Sequence, residues 1–471
     1  MKVYLINPPS SNGIKMVREG RCMQRKGAWT TVWPPITLAT MAAMLLKEGI
    51  EARLNDCIVE DIDYKKLKLK IAEFKPDLVV ITTATASINS DLYCAGIAKE
   101  LSSGIKTLAF GLHPTVLPDE SFLLEPSLDF VIRGEPEFCL LELVRALKQG
   151  GGFAQIKGLS YRDDSKIEHN PNRGFNDDLN ELPFPAWELV DIRNYPLPLS
   201  GEPFLLVTTS KGCPHSCVFC PAKPYYGSRI RFRDVKLVVD EICYIKEKLG
   251  VSQFLIWSES FTEDKGYVMK LCDEIARRNL KISWACNSRV DKVDLEILRA
   301  IKKAGCWMIG FGVESGAQEI LDNVNKGTTI KQIEDAIDWS SSAGLEVTAH
   351  VIFGLPGETL ATGLKTIKWL NKLKIDYAQI YCAVPWPSTP LYPIAKEKGW
   401  LTTGDWQLYE QNHYILDMGT ITKDEVEYLR RLAMRKFYLS PARIFKVLKK
   451  INSFKRFRLF IKMVAEFINW L

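Results

Sequence analysis

The chain has 471 residues, 46% of them hydrophobic and 25% charged, with a formal net charge of +6. That length predicts two or three domains with sizeable cores, and the composition excludes a disordered or low-complexity protein. Residues 440–471 hold eight Lys/Arg against one acid, Glu466, a net +7 that leaves the first 439 residues at −1. A body of that charge is not that of a general nucleic-acid binder, and no nucleic-acid partner is expected.

The opening "MKVYLINPPS" reads as a strand and a loop, not as a basic region followed by an apolar segment, so no signal peptide is read here. No apolar run reaches the roughly 18 residues of a spanning helix. The expected compartment is the cytoplasm, where thiols stay reduced, and the twelve cysteines are expected to be ligands and small core residues rather than a disulfide framework.

Residues 1–150 alternate short apolar runs, "VYLINPP", "ARLND", "LVVITT", "KTLAFG" and "FVIRGE", with helical patterns such as 36–47 and 92–101. This predicts a Rossmann-like parallel sheet with helices on both faces and a ligand beyond the carboxyl ends of its strands. Residues 151–200 are rich in Gly, Asn, Asp and Pro and read as a linker with little regular structure. From 201 to 400 a second alternation runs through "FLLVTTS", "QFLIWSE", "KISWACNSR", "WMIGFGVES", "LEVTAHVIFG" and "AQIYCAVPW". Six strand–helix units predict a partial (β/α)6 barrel with its chemistry at the C-terminal ends of the strands. Residues 401–471 read as helical, ending in a basic amphipathic tail.

Directly after the first barrel strand stands "TTSKGCPHSCVFCPAK", with Cys213, Cys217 and Cys220 spaced C-x3-C-x2-C. Three thiolates hold three irons of a [4Fe–4S] cluster and leave the fourth iron open for chemistry. Zinc is the competing reading, but structural zinc sites show paired C-x2-C motifs or a His at set spacing, and His215 lies inside the loop. The remaining alternative is three unligated thiols.

The triplet after the first strand of such a barrel resembles the radical S-adenosylmethionine (SAM) superfamily. That resemblance implies a [4Fe–4S] cluster on Cys213, Cys217 and Cys220, SAM on its open iron, and reductive cleavage of SAM to a 5′-deoxyadenosyl radical, with the cofactor carrying the hard step. It further implies SAM contacts from Glu314 in "GFGVESG", Glu259 in "WSESF" and Asn287 and Arg289 in "ACNSRVD", with "IFGLPGET" along the adenine. These residues also have a plainer reading, as polar residues of the barrel rim with structural partners.

The fragments "INPPS", "WPPITLATMAAMLLKEGIEARLNDC", "KPDLVVITT", "GLHPTVLPDE" and "DFVIRGEPE" resemble, in order and position, the cobalamin (B12)-binding domains fused ahead of many radical SAM barrels. The likeness implies cobalamin held near Gly111, His113, Gly134 and Glu135, with Thr83, Thr85 and Ser87 beside its nucleotide tail. No histidine here has Asp two positions before it, so D-x-H-x-x-G is absent and the lower axial ligand of cobalt is left undetermined. An accessory domain without a ligand is the alternative.

These resemblances imply an enzyme that methylates an unactivated carbon of a small-molecule or lipid-like substrate. A radical cyclase or rearrangement enzyme is the near alternative, and a non-catalytic iron–sulfur redox or regulatory protein the distant one. An electron donor such as a flavodoxin or ferredoxin is the expected partner. For the tail, three readings stay open: contact with an anionic membrane surface, a cap on the barrel, or an acidic partner. Cys22 in a basic loop, and Trp33 and Trp386 at strand ends, are further candidates for the substrate pocket.

Overall fold

The computed structural model describes residues 1–10, 13–19, 22–26, 31–164, 166–198, 200–451 and 453–470, the side chains of 22, 23, 442 and 466–470 lying outside that set. The reading of Cys22 therefore falls outside the described residues.

The N-terminal part contains β1 (Lys2–Asn7), a hairpin of β2 (Met16–Glu19) and β3 (Cys22–Arg25), then β4 (Glu51–Asp56), β5 (Leu78–Thr83), β6 (Lys106–Gly111), β7 (Phe130–Ile132), β8 (Leu159–Asp163) and β9 (Lys166–His169). The main sheet runs β4–β1–β5–β6–β7–β8–β9. Its first five strands are parallel and its last two antiparallel. The parallel strands are the five apolar runs of the sequence. Along β1, Val3 and Leu5 enter one core while Tyr4 and Ile6 enter the other. That period of two, with both faces covered by helices, is why a near-continuous apolar run forms a buried strand here.

The stretch 151–200 differs from the expected irregular linker. It supplies β8 and β9, and it buries Trp187 and Tyr195. The Tyr195 hydroxyl donates to Asp56 at the end of β4 (2.7 Å). Isolated aromatics among Pro, Asn and Asp bury one by one and leave no periodicity to read.

The second part contains β10 (Phe204–Thr208), a short hairpin of β11 (Ser210–Lys211) and β12 (Arg231–Phe232), then β13 (Gln253–Trp257), β14 (Ser283–Ser288), β15 (Cys306–Glu314), β16 (Glu346–Phe353) and β17 (Tyr377–Cys382). The large sheet runs β10–β13–β14–β15–β16–β17 with every neighbouring pair parallel. No pairing joins β10 to β17 among the described residues, so the barrel is partial. Asp234, Asp264, Asp294, Thr329 and Thr359 cap the crossover helices by accepting from backbone N–H groups of the first turn. These short polar side chains fix where each crossover turns back onto the sheet.

The edge of β17 is covered. The Tyr438 hydroxyl, on helix Lys423–Tyr438, donates to the Ala378 carbonyl (2.8 Å), and the Cys382 N–H donates to Gln411 (2.8 Å). This satisfies an edge that would otherwise offer open backbone groups. Helices Pro441–Leu448 and Phe454–Trp470 then cross beneath the barrel. Lys446 pairs with Asp376, Lys450 with Glu346 (2.7 Å) and Lys455 with Glu202 (3.5 Å). Those acids precede or open β17, β16 and β10, so the tail spans the N-terminal ends of the strands, opposite the cysteine loop. No helix of the described residues is long and apolar enough to cross a membrane.

Candidate cluster and cofactor site

The cysteine loop leaves the barrel through β11 and returns through β12. Gly212 makes the turn possible: its φ is +104°, and a Cβ there would stand 2.1 Å from the Arg229 carbonyl oxygen. The Gly212 N–H donates to the Glu259 carboxylate (3.0 Å), so Glu259 at the end of β13 holds the loop backbone. The Cys213 N–H donates to Gly227 (3.0 Å) and that of Cys220 to Cys217 (3.2 Å). Cys213 is buried, while Cys217 and Cys220 are half-buried.

Beside the loop lies a cationic pair. Arg289 brings Nη1 to 3.9 Å from the Cys217 sulfur, donates to Asp291 through Nε (2.9 Å), and donates to the Lys326 carbonyl (2.8 Å). Lys326 Nζ donates to Glu314 (2.7 Å) in a buried ion pair. Burial pushes the Cys217 thiol up, and Lys326 and Arg289 pull it back toward the thiolate. Glu314 has a φ of +61°, a strained value for a residue with a side chain.

The spacing in "GFGVESG" follows from this geometry. A Cβ at Gly310 would meet Asn287 Oδ1 at 2.2 Å and His350 Nε2 at 3.1 Å. One at Gly312 would meet Glu314 Oε1 at 2.5 Å and Lys326 Nζ at 2.6 Å. Glycines two apart in a strand empty one face of it, and the polar side chains fill the space. Lys326 and His350 were not singled out from the sequence; the G-x-G of β15 was the signal that something must pack there. At the rim, His215 Nε2 bonds Glu263 (3.1 Å) and Lys292 pairs with the same carboxylate (2.8 Å). Burial alone would raise Glu263, but His215 and Lys292 hold it down at about 2.

At the N-terminal sheet the candidates divide. Thr83 donates to the Phe110 carbonyl (3.0 Å), and Gly111 (φ +141°) lets β5 and β6 close up, since a Cβ would stand 2.6 Å from the Thr83 carbonyl oxygen. Thr85 is buried. Ser87 donates to Asp91 (2.7 Å), which pairs with buried Arg18 (2.8 Å). Glu135 is held by both Nη atoms of Arg231 (2.9 and 2.8 Å). Next to it Lys211 pairs with Glu137 (2.6 Å). Ser87 and Glu135 therefore already have protein partners.

His113 is different. It is fully buried, neither ring nitrogen has a hydrogen-bond partner among the described residues, and burial lowers its pKa to about 4. Trp406 stands edge-on to it at 5.0 Å. Gly134 (φ +88°) faces open space. An orphaned buried imidazole beside open backbone fits a ligand at the end of this sheet.

The two strand ends meet across an aromatic cluster that includes Tyr225, Tyr226, Trp386 and Tyr409, with Ala84 and Leu112 from the N-terminal sheet. Trp386 donates to the Tyr409 carbonyl (3.0 Å) and so packs; Trp33 stands edge-on to Trp257 at 5.0 Å. Among the described residues no three His, Cys, Asp or Glu converge as a single-ion site requires. A cubane asks for another arrangement, with each thiolate on its own iron, and three thiols on one loop, with Arg289 and Lys326 beside that of Cys217, are a donor set that suits it.

Residues 207–370 match the Radical SAM superfamily and residues 28–144 the B12 binding domain. An uncharacterized methyltransferase of Pyrococcus horikoshii is 32% identical over 441 residues, covering 94% of this chain and 93% of that protein. An anaerobic magnesium-protoporphyrin IX monomethyl ester cyclase of Rubrivivax gelatinosus is 29% identical over 419 residues, covering 86% and 75%. The radical SAM methyltransferase TsrM from Kitasatospora setae, solved with cobalamin and a [4Fe–4S] cluster, shares the fold with a TM-score of 0.69 at 18% identity, covering 86% of this chain and 79% of that one. The chain thus belongs to the radical SAM superfamily, among its members with an N-terminal B12-binding domain, and is an enzyme whose cofactors are a [4Fe–4S] cluster, SAM and cobalamin.

Proposed function

We propose that this enzyme transfers a methyl group to an unactivated carbon of a small molecule. The observation that carries the reading is the 32% identity over 441 residues to an uncharacterized methyltransferase of Pyrococcus horikoshii. The buried ion pairs Glu135–Arg231 and Glu137–Lys211, which join the N-terminal sheet to the base of the cysteine loop, support it by holding the two domains together. When bound, the cluster with SAM supplies a hydrogen-abstracting radical, and cobalamin supplies a transferable methyl group.

The chain's own part is to hold and to orient. Cys213, Cys217 and Cys220 would bind the cluster as thiolates, with Arg289 and Lys326 offsetting their charge. Glu314 and Asn287, facing the barrel interior, would meet SAM, while Glu259 fixes the loop. His113 and Gly134 would meet the corrin, with residues 1–150 as its domain and 201–400 as that of the cluster. The aromatic cluster between them would exclude water from a radical step. Electrons would come from a flavodoxin or ferredoxin. The cyclase relative supports a second reading, ring closure with the same cofactors.

The test uses protein made and reconstituted without oxygen, with cobalamin supplied. About four irons and one corrinoid per chain are expected. A Cys213/Cys217/Cys220→Ala variant should lose iron alone. Incubation with methyl-labelled SAM and candidate substrates separates the readings. Label in product supports methyl transfer; 5′-deoxyadenosine with unlabelled product supports ring closure.

A further inference from the structure

The two C-terminal helices are amphipathic in an unusual sense, because they expose apolar residues on the side that does not face the protein. On helix Phe454–Trp470 the inner side carries Met463, buried, and Leu459, packed near Gly201. The outer side carries Phe454 (82% exposed), Phe457 and Ile461, spaced i, i+3, i+7 along one stripe. On helix Pro441–Leu448, Ile444, Phe445 and Leu448 are likewise exposed. Lys455, Arg458 and Lys462 are exposed beside the stripe, and Lys449 lies over the Phe445 ring (4.6 Å).

A solvated helix face does not gather bare phenylalanines, and a contiguous exposed apolar patch marks an interaction surface. Its partner is set by charge. Residues 440–471 carry net +7, or +4 once the three barrel acids that pair with Lys446, Lys450 and Lys455 are counted, and bulky apolar side chains rimmed by Lys and Arg match the boundary between anionic headgroups and acyl chains. Because the same helices pair with Asp376, Glu346 and Glu202 at the N-terminal ends of the strands, the stripe lies at the opposite end of the barrel from the cysteines. We infer that the outer face of these helices docks the protein on an anionic bilayer surface with the catalytic mouth turned away from the lipid. Substrate and reductant then arrive from the aqueous side, and docking is a matter of position rather than of drawing substrate from the bilayer.

Flotation of the full-length holoenzyme with vesicles tests this. Association is expected with phosphatidylcholine vesicles containing about 30% phosphatidylserine, with loss on neutral vesicles and release by salt. A Phe454→Ser/Phe457→Ser/Ile461→Ser variant should lower association about tenfold or more while retaining iron content and 5′-deoxyadenosine formation. Photoactivatable lipid should label residues 454–461 and spare the cysteine loop. The inference fails if the wild type ignores anionic vesicles or if the triple variant binds as the wild type does. Binding that heparin abolishes but the three substitutions leave intact would make the face a polyanion patch and overturn it. Labelling of the cysteine loop would overturn the orientation.

Discussion

Arg231 grips Glu135 with both ends of its guanidinium, Nη1 and Nη2 standing 2.9 and 2.8 Å from the two carboxylate oxygens. Both side chains are buried, and the pair joins the loop after β7 to the hairpin that carries the cysteines. Burial works against the charged form of Glu135, but Lys211 and Arg231 together hold its carboxyl below the usual range.

Removing one member strands the other. Arg231→Ala should cost about 3–5 kcal/mol in denaturant unfolding. Arg231→Lys keeps the charge but not the fork, and should recover part of the loss. The double variant Arg231→Met/Glu135→Gln should be milder than Arg231→Ala. An additive double-variant cycle would mean that the two residues do not couple.

Gly212→Ala tests the cysteine loop without touching a cysteine. The new Cβ collides with the Arg229 backbone, which cannot move without opening β11 from β12. Iron content after reconstitution is expected to fall by more than half while corrinoid content is unchanged, read by iron and cobalt analysis of the same sample. Full iron loading would show that the loop can close another way.

Glu358 gives a pH signature. It is fully buried, accepts from the Gly354 N–H, and burial pushes its carboxyl from 4.5 up to about 8 despite the backbone hydrogen bonds from Gly354 and Leu355. Between those values the folded chain keeps a proton that the unfolded chain has released. Its contribution is therefore fully present below 4.5 and is lost as pH rises toward 8. Glu358→Gln should match the wild type near pH 5 and melt higher at pH 8, by thermal unfolding at the two pH values. A difference that does not grow with pH contradicts the assignment.

His113 titrates in the opposite sense. Burial lowers its pKa from 6.5 to about 4, so the folded chain resists a proton that the unfolded chain takes up, and stability is lost as pH falls through that window. His113→Phe should stabilise the cobalamin-free protein at pH 5 relative to wild type. The same variant should retain less corrinoid if the orphaned nitrogens serve the ligand. Unchanged corrinoid content would remove His113 from the pocket.

Much of the scaffold was legible because parallel strands announce themselves. Each apolar run from "VYLINPP" to "AQIYCAVPW" became a strand, and in the barrel Asp234, Asp264, Asp294, Thr329 and Thr359 stand where helices begin. Pairings across long separations were not legible. Nothing local ties Glu135 to Arg231, or Lys326 to Glu314, so Glu135 read as a cofactor contact although a guanidinium already occupies it. Nor was the partner of Ser87 legible, because Arg18 reaches it from a hairpin 69 residues away. The strands Leu159–Asp163 and Lys166–His169 were hidden by the turn-forming residues around them, which fix chain direction but say nothing of sheet edges.

The tail beneath the barrel has a mechanical consequence. A closed eight-stranded barrel has an interior that its own side chains fill; six strands make an arc, and an arc can splay. Here the arc is clasped from below, where Lys455 reaches Glu202 ahead of β10 and Lys450 reaches Glu346 at the start of β16. With the lower rim pinned, spreading is confined to the upper rim, like a purse hinged at its base. The width of the mouth would then depend on ion pairs at the far ends of the strands, and shortening the tail is expected to loosen the upper rim without changing any side chain that lines it.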